Sequence, residues 1–169
     1  MIKAPKLAEI FGLNPDSMKV ARARGYLPIT GRTEGRNPSY GPADMVAFSI
    51  WQKLVGSTYD QKSAAHLVGN SDAAQRVLSL IRSGGLREQY FVCFTQVEPH
   101  PVLPGVMVPY SCDEMVSGAD MALYLARHAD RAGSFTIVAL EPLWRGLVDQ
   151  AQAAGVVVTP DDATLIEGE

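Results

Sequence analysis

The chain is 169 residues long, 47% hydrophobic and 20% charged, with a formal net charge of −3. That composition supports a packed core and excludes a disordered chain, and no apolar run approaches the roughly 20 residues that a membrane-spanning helix needs. Cys93 and Cys112 fit neither a disulfide framework nor a metal spacing, and the opening residues MIKAPKLAEIFG lack the apolar run and cleavage site of a secretory leader, so cytoplasmic residence is expected.

Pro5 can open a short helix, on which Leu7, Ile10 and Phe11 share one face until Gly12 stops it. Asn14 is a good N-cap, Pro15 suits the first helical position and Asp16 complements the positive helix end, so a second helix runs from about Pro15 to Arg24. Gly25 supplies the left-handed residue that ends it. Two short helices with a tight turn between them read as a helix-turn-helix. The stretch PITGRTEGRNPSYGP then carries too much glycine and proline for a helix and predicts a hairpin-like loop with an exposed tip.

Gly41-Pro42 starts a third helix with Ala47, Ile50, Trp51 and Leu54 on its apolar face. Asp60 caps a fourth, with Ala64, Leu67 and Val68 turned inward, and a fifth begins at Ser71 and ends at Gly84-Gly85. Beyond residue 86 the pattern changes. QYFVCFTQV and VLPGVMVPY predict two strands, and Ser111 to Glu114 reads as a capping box opening a helix to about Ala132. SFTIVAL predicts a third strand, Pro142 a helix with Trp144, Leu147, Val148 and Ala151 on one stripe, and GVVVTP a last strand.

Charge is unevenly spread along this order. Residues 1–55 hold eight Lys/Arg against four Asp/Glu, a balance of +4, which leaves −7 for the remainder. A basic head on an acidic body suggests that the head faces a polyanion.

The run AEIFGLNPDSMKVARARGYLP, followed after the loop by YGPADMVAFSIWQKLVGSTYDQKSAAHLV, resembles the winged-helix DNA-binding domain of the MerR-type transcription regulators. Asn14-Pro15, Lys19, Gly25-Tyr26-Leu27, and Tyr40 with Asp44 stand at that family's marker positions, whereas its paired aromatics are Val20 and Ala21 here. The resemblance covers about residues 4–69 and implies a winged helix-turn-helix over 1–69; with a connecting helix over 70–85 and the strand and helix pattern of 86–169 reading as a small α/β domain, an α+β chain is expected. The resemblance also implies that the second helix enters the major groove and the loop lies along the backbone.

Residue chemistry points to the same surface, because Arg and Lys on a helix reach guanine acceptors or flanking phosphates. The DNA-contact residues expected are Ser17, Lys19, Arg22 and Arg24 on the helix, with Arg32, Arg36 and Asn37 on the loop. Tyr40 is expected as a core staple whose hydroxyl could reach a phosphate. No nucleophile with a nearby base emerges, His66, His100 and His128 are isolated, and no catalytic residue, metal site or cofactor is expected.

The function expected is a sequence-specific transcription regulator that binds an inverted repeat of double-stranded DNA as a homodimer. The C-terminal domain is expected to form the dimer, with YFVCFTQ as the buried or interface strand, and no membrane is involved. Two alternatives are an excisionase-like architectural protein and an effector-sensing α/β domain carrying a DNA-binding head. For the latter, Tyr90, Phe94, Tyr110 and Trp144 could line a pocket for a small apolar effector.

Overall fold

The computed structural model describes residues 1–28, 32–34, 37–57 and 59–166, leaving aside the side chains of 32–34 and 37. Helices and strands are mixed throughout, consistent with an α+β chain. The first part comprises β1 (Ile2–Lys3), α1 (Ala4–Ile10), α2 (Pro15–Ala23), β2 (Arg32–Glu34), β3 (Asn37–Tyr40), α3 (Pro42–Val55), α4 (Gln61–Asn70) and α5 (Ala73–Arg82). The strands form an antiparallel sheet in the order β1-β3-β2. The caps follow from local chemistry. Asn14 Oδ1 accepts from the amides of Asp16 and Ser17 at 2.9 and 3.2 Å, and Asp60 Oδ1 accepts from Lys62 and Ser63 at 2.9 and 3.0 Å. At the start of α3 the Asp44 carboxylate accepts from the Gly41 amide at 2.9 Å. Gly25 turns the chain out of α2 at φ +69°, a conformation that a side chain disfavours.

The remainder comprises β4 (Gln89–Pro99), β5 (Met107–Ser117), α6 (Met121–His128), β6 (Ala132–Ala139), α7 (Leu140–Ala153), β7 (Val156–Val158) and β8 (Ala163–Leu165). β4 pairs antiparallel with β5 along its whole length, from Gln89 opposite Ser117 to Pro99 opposite Met107. On its other edge β6 covers only Tyr90 to Gln96. The outer end of the β4–β5 hairpin therefore runs past its neighbour, and Val102 near its tip is 76% exposed.

Ser111 to Glu114 lies in β5 and not at a helix start. A capping box is a local preference, and eleven paired positions along β4 outweigh it. The helix forms later, over Met121–His128, where Ser117 Oγ accepts from the Asp120 amide at 3.2 Å.

Side chains alternate across β4 as strand geometry requires. Phe91 and Cys93 enter the larger core, while Val92 and Phe94 enter a smaller one beneath α6 with Val116 and Tyr124. The larger core is continuous from Ile2 and Leu7 through Phe48, Leu54 and Val77 to Leu143, Leu147 and Ala163. Phe48 is fully buried within it, with ring centroids 4.4 Å from Phe11 and 5.0 Å from Trp51. Polar links join the same parts: Lys6 Nζ donates to the Ala154 carbonyl at 3.0 Å, and Arg82 Nε donates to Asp161 at 2.8 Å.

These placements correct the partners expected from the sequence. The strand YFVCFTQ, expected as a buried or interface strand, is the buried one: it is central in its sheet, with both edges paired inside one chain. With β5 and β6 on either side of it, that strand offers no edge to a second chain, and the homodimer on duplex DNA expected through it finds no support in this strand. The effector pocket falls too, because its four aromatics do not meet: Phe94 lies in the smaller core, Trp144 packs on the larger one, and Tyr110 is 40% exposed on the hairpin. Among the described residues no helix is long and apolar enough to cross a membrane.

Candidate nucleic-acid interface

α2 buries one side chain and leaves most of its circumference open. Met18 is buried against the core, Ala21 and Arg22 are half-buried, and Asp16, Ser17, Lys19, Val20, Ala23 and Arg24 are exposed. At about 100° per residue, Lys19 and Arg22 fall on the side towards β3, whereas Arg24 lies well round the helix from both. The basic residues of α2 therefore form two flanks and not one ridge. Arg24 and Ser17 instead border an open groove of about 470 Å³ whose wall includes Val20, Ala21, Leu27 and Trp51.

Arg22 is tied to the adjacent sheet. Its Nη1 lies 3.5 Å from the Tyr40 hydroxyl, a long contact that spans from α2 to β3. The Tyr40 ring is 1% exposed, in register with Ile2. Burial raises its phenol pKa, and the neighbouring guanidinium opposes that rise. The ring is core, as a staple would be, and the hydroxyl is turned to Arg22.

The β2–β3 hairpin sets Arg32 opposite Ser39 and Glu34 opposite Asn37, so Arg32 and Asn37 occupy register positions on neighbouring strands. Arg36 lies outside the described residues. The same register reveals a cation that the sequence reading passed over. Lys3 pairs with Ser39 from the far side, so Lys3, Ser39 and Arg32 make one row across the sheet. Ile2 and Tyr40 point to the core, which leaves Lys3 and Ser39 on the opposite face, where Lys3 is exposed. A two-residue strand carries no periodicity of its own, so nothing in the sequence marked it.

Among the described residues no carboxylate lies within ion-pair distance of Lys19, Arg24 or Lys3, whereas Lys6 is paired with Glu9 at 2.7 Å. Such charges suit an external anion, since an unsatisfied cation at an exposed helix loses little on leaving water for phosphate. The histidines stay apart. His66 is exposed beside Asn70; the His100 Nδ1 accepts from the amides of Val102 and Leu103 at 3.1 Å; and His128 packs on Phe94 and Tyr124. Among the described residues no group of His, Cys, Asp and Glu could hold a metal ion.

No protein-family model matches the chain, and no curated protein matches it. The functional reading therefore rests on the residues themselves.

Proposed function

We propose that the protein is a sequence-specific regulator of transcription whose α2 enters the major groove of duplex DNA in winged helix-turn-helix fashion. In this reading β2 and β3 form the wing. Lys19 and Arg22 face the groove from one flank of α2, Ser17 and Arg24 reach backbone phosphate from the other, and Lys3 and Arg32 lie over the sugar-phosphate chain beside the wing. Ser17 sits in the first turn, where a hydroxyl and the positive helix end both favour an approaching phosphate. One chain presents the whole surface, so the reading requires no second copy.

The observation that carries it is the outward face of α2: an exposed, capped helix whose Lys19 and Arg24 have no carboxylate partner among the described residues. The MerR-type resemblance over the same residues supports it. The test is a titration of a random-sequence duplex at several salt concentrations, with Lys19→Ala and Arg24→Ala beside the wild type. Each variant should bind more weakly, and each lost phosphate contact should reduce the salt slope by about 1. Binding without salt dependence, or slopes unchanged in both variants, would overturn the assignment.

A further inference from the structure

The outward face of α2 is more than cationic. Asp16, Lys19, Val20 and Ala23 follow one another at i, i+3, i+4 and i+7, the spacing of a single helical face, and all four are exposed. Met18, the helix's other large aliphatic side chain, is buried at 5% exposure, whereas Val20 is 49% exposed. Exposed valines are ordinary where they stand alone on a charged surface. This one borders the groove it shares with Ser17 and Arg24, and its helical neighbour at one remove is the exposed Lys19.

A helix face of that composition has a specific complement. In the major groove each base edge presents acceptors or donors, and thymine alone presents an apolar group, its C5-methyl. Lysine matches guanine O6 and N7 or a phosphate. A carboxylate only accepts, so Asp16 suits a cytosine amine and is repelled by phosphate. Val20 can form neither kind of polar contact, and pressed against phosphate or a polar base edge it would strand those groups without partners. Against a methyl group it loses nothing and removes apolar surface from water.

We propose that Val20 is a specificity-determining residue that reads a thymine C5-methyl group in the major groove, beside the base or phosphate taken by Lys19. The proposal rests on the duplex-binding reading above and adds to it a base preference that charge cannot supply. Ala23, one turn further along the same face, is short enough to let the base edge approach.

The experiment isolates the methyl group. The full chain selects duplexes from a random library, and the selected duplex is then remade with each thymine replaced in turn by deoxyuridine, which lacks only that methyl. Affinities are measured for the wild type and for Val20→Ser, whose thermal melt serves as a check that the exposed substitution leaves the fold intact. One replacement should weaken the wild type about fourfold, the value of one buried methyl-sized apolar group. The same replacement should leave Val20→Ser unchanged, and Lys19→Ala should retain the effect. Should Val20→Ser keep the wild-type sensitivity, or no replacement matter while salt-dependent selective binding persists, the thymine assignment fails and the duplex-binding reading stands. Failure to enrich any duplex removes both.

Discussion

Cys93 and Cys112 stand on adjacent antiparallel strands one register step apart, and their side chains leave opposite faces of the sheet. Cys93 is opposite Asp113, and Cys112 is opposite Phe94. Cys93 enters the larger core, and Cys112 packs against the smaller one. A disulfide between them would need one strand to turn over, so both thiols stay free. Their reactivities should differ. Burial pushes the Cys93 thiol, whose Sγ donates to the Thr136 carbonyl at 3.7 Å, up to about 12, and burial also pushes the Tyr59 phenol up to about 12. Cys112 is raised as well, again by burial, but is half-exposed. Thiolate is the reactive form, so alkylation at pH 8 followed by mass spectrometry should label Cys112 first and Cys93 only when denaturant is added. Equal labelling of both in the native protein would show that the sheet opens at this point.

The alkaline limb follows from the same pair. Both groups are held neutral by folding, with pKa values raised above their unfolded values. Their contribution to stability is therefore complete below those unfolded values of 9.0 for the thiol and 10.0 for the phenol, and is lost as the pH rises towards about 12. Melting temperatures between pH 8 and pH 11 should fall, and Tyr59→Phe should fall less steeply.

Phe48→Ala should destabilise the whole molecule by about 3–5 kcal/mol, the range for deleting a fully buried aromatic. Its cluster reaches from α1 to β8, so the two tryptophans report on distant parts of one core: Trp51 on α3 and Trp144 on α7. Urea unfolding followed by Trp51→Phe and Trp144→Phe variants, each retaining one fluorophore, should give coincident transitions that shift together in the Phe48→Ala background. Separate midpoints would mean that the halves unfold independently.

The residues that were legible in the sequence are those whose chemistry is local. Asn14 and Asp60 cap the helices they mark, Gly12 and Gly25 take the left-handed backbone that ends α1 and α2, and Trp51 lies on the apolar face of α3. The misses are non-local. Ser111 to Glu114 satisfies every local rule for a helix start, yet β4 supplies a partner for each of those residues, and pairing across the sheet decides. β1 and β8 are too short to show alternation, and each exists because another strand lies beside it. Within the candidate interface, the positions on α2 followed from helical spacing. The contact between Arg22 and Tyr40 and the arrival of Lys3 beside Ser39 each needed the packed structure.

Acid stability should depend measurably on Asp60. The Ser63 hydroxyl, at 2.6 Å, and the backbone amides of Ser63 and Lys62 hold its carboxylate below the usual range. A depressed acid contributes stability above its unfolded pKa, and that contribution is lost as the pH falls through the folded value. Asp60→Asn keeps an oxygen for the cap and removes the titration. The fall in melting temperature between pH 6 and pH 3 should be smaller in this variant than in the wild type. Asp113 works in the opposite sense, because burial raises its pKa and so favours the protonated form in the fold. Asp113→Asn should therefore steepen the same limb.

Tyr40 separates a packing role from a contact role. Tyr40→Ala removes a 1%-exposed ring and should cost about 3–5 kcal/mol of stability, whatever the protein binds. Tyr40→Phe keeps the ring and deletes only the hydroxyl that faces Arg22 at 3.5 Å. Were that hydroxyl a phosphate ligand, the phenylalanine variant would lose a full contact and bind duplex as poorly as Lys19→Ala. Because the hydroxyl is directed to Arg22 within the protein, the expected outcome is different: Tyr40→Phe melts within about 1 kcal/mol of the wild type, the value of one neutral hydrogen bond. Its duplex affinity should fall less than that of Lys19→Ala, with the salt slope unchanged, since no phosphate contact has been removed. A reduced salt slope in Tyr40→Phe would show that the hydroxyl leaves Arg22 for phosphate when the duplex binds.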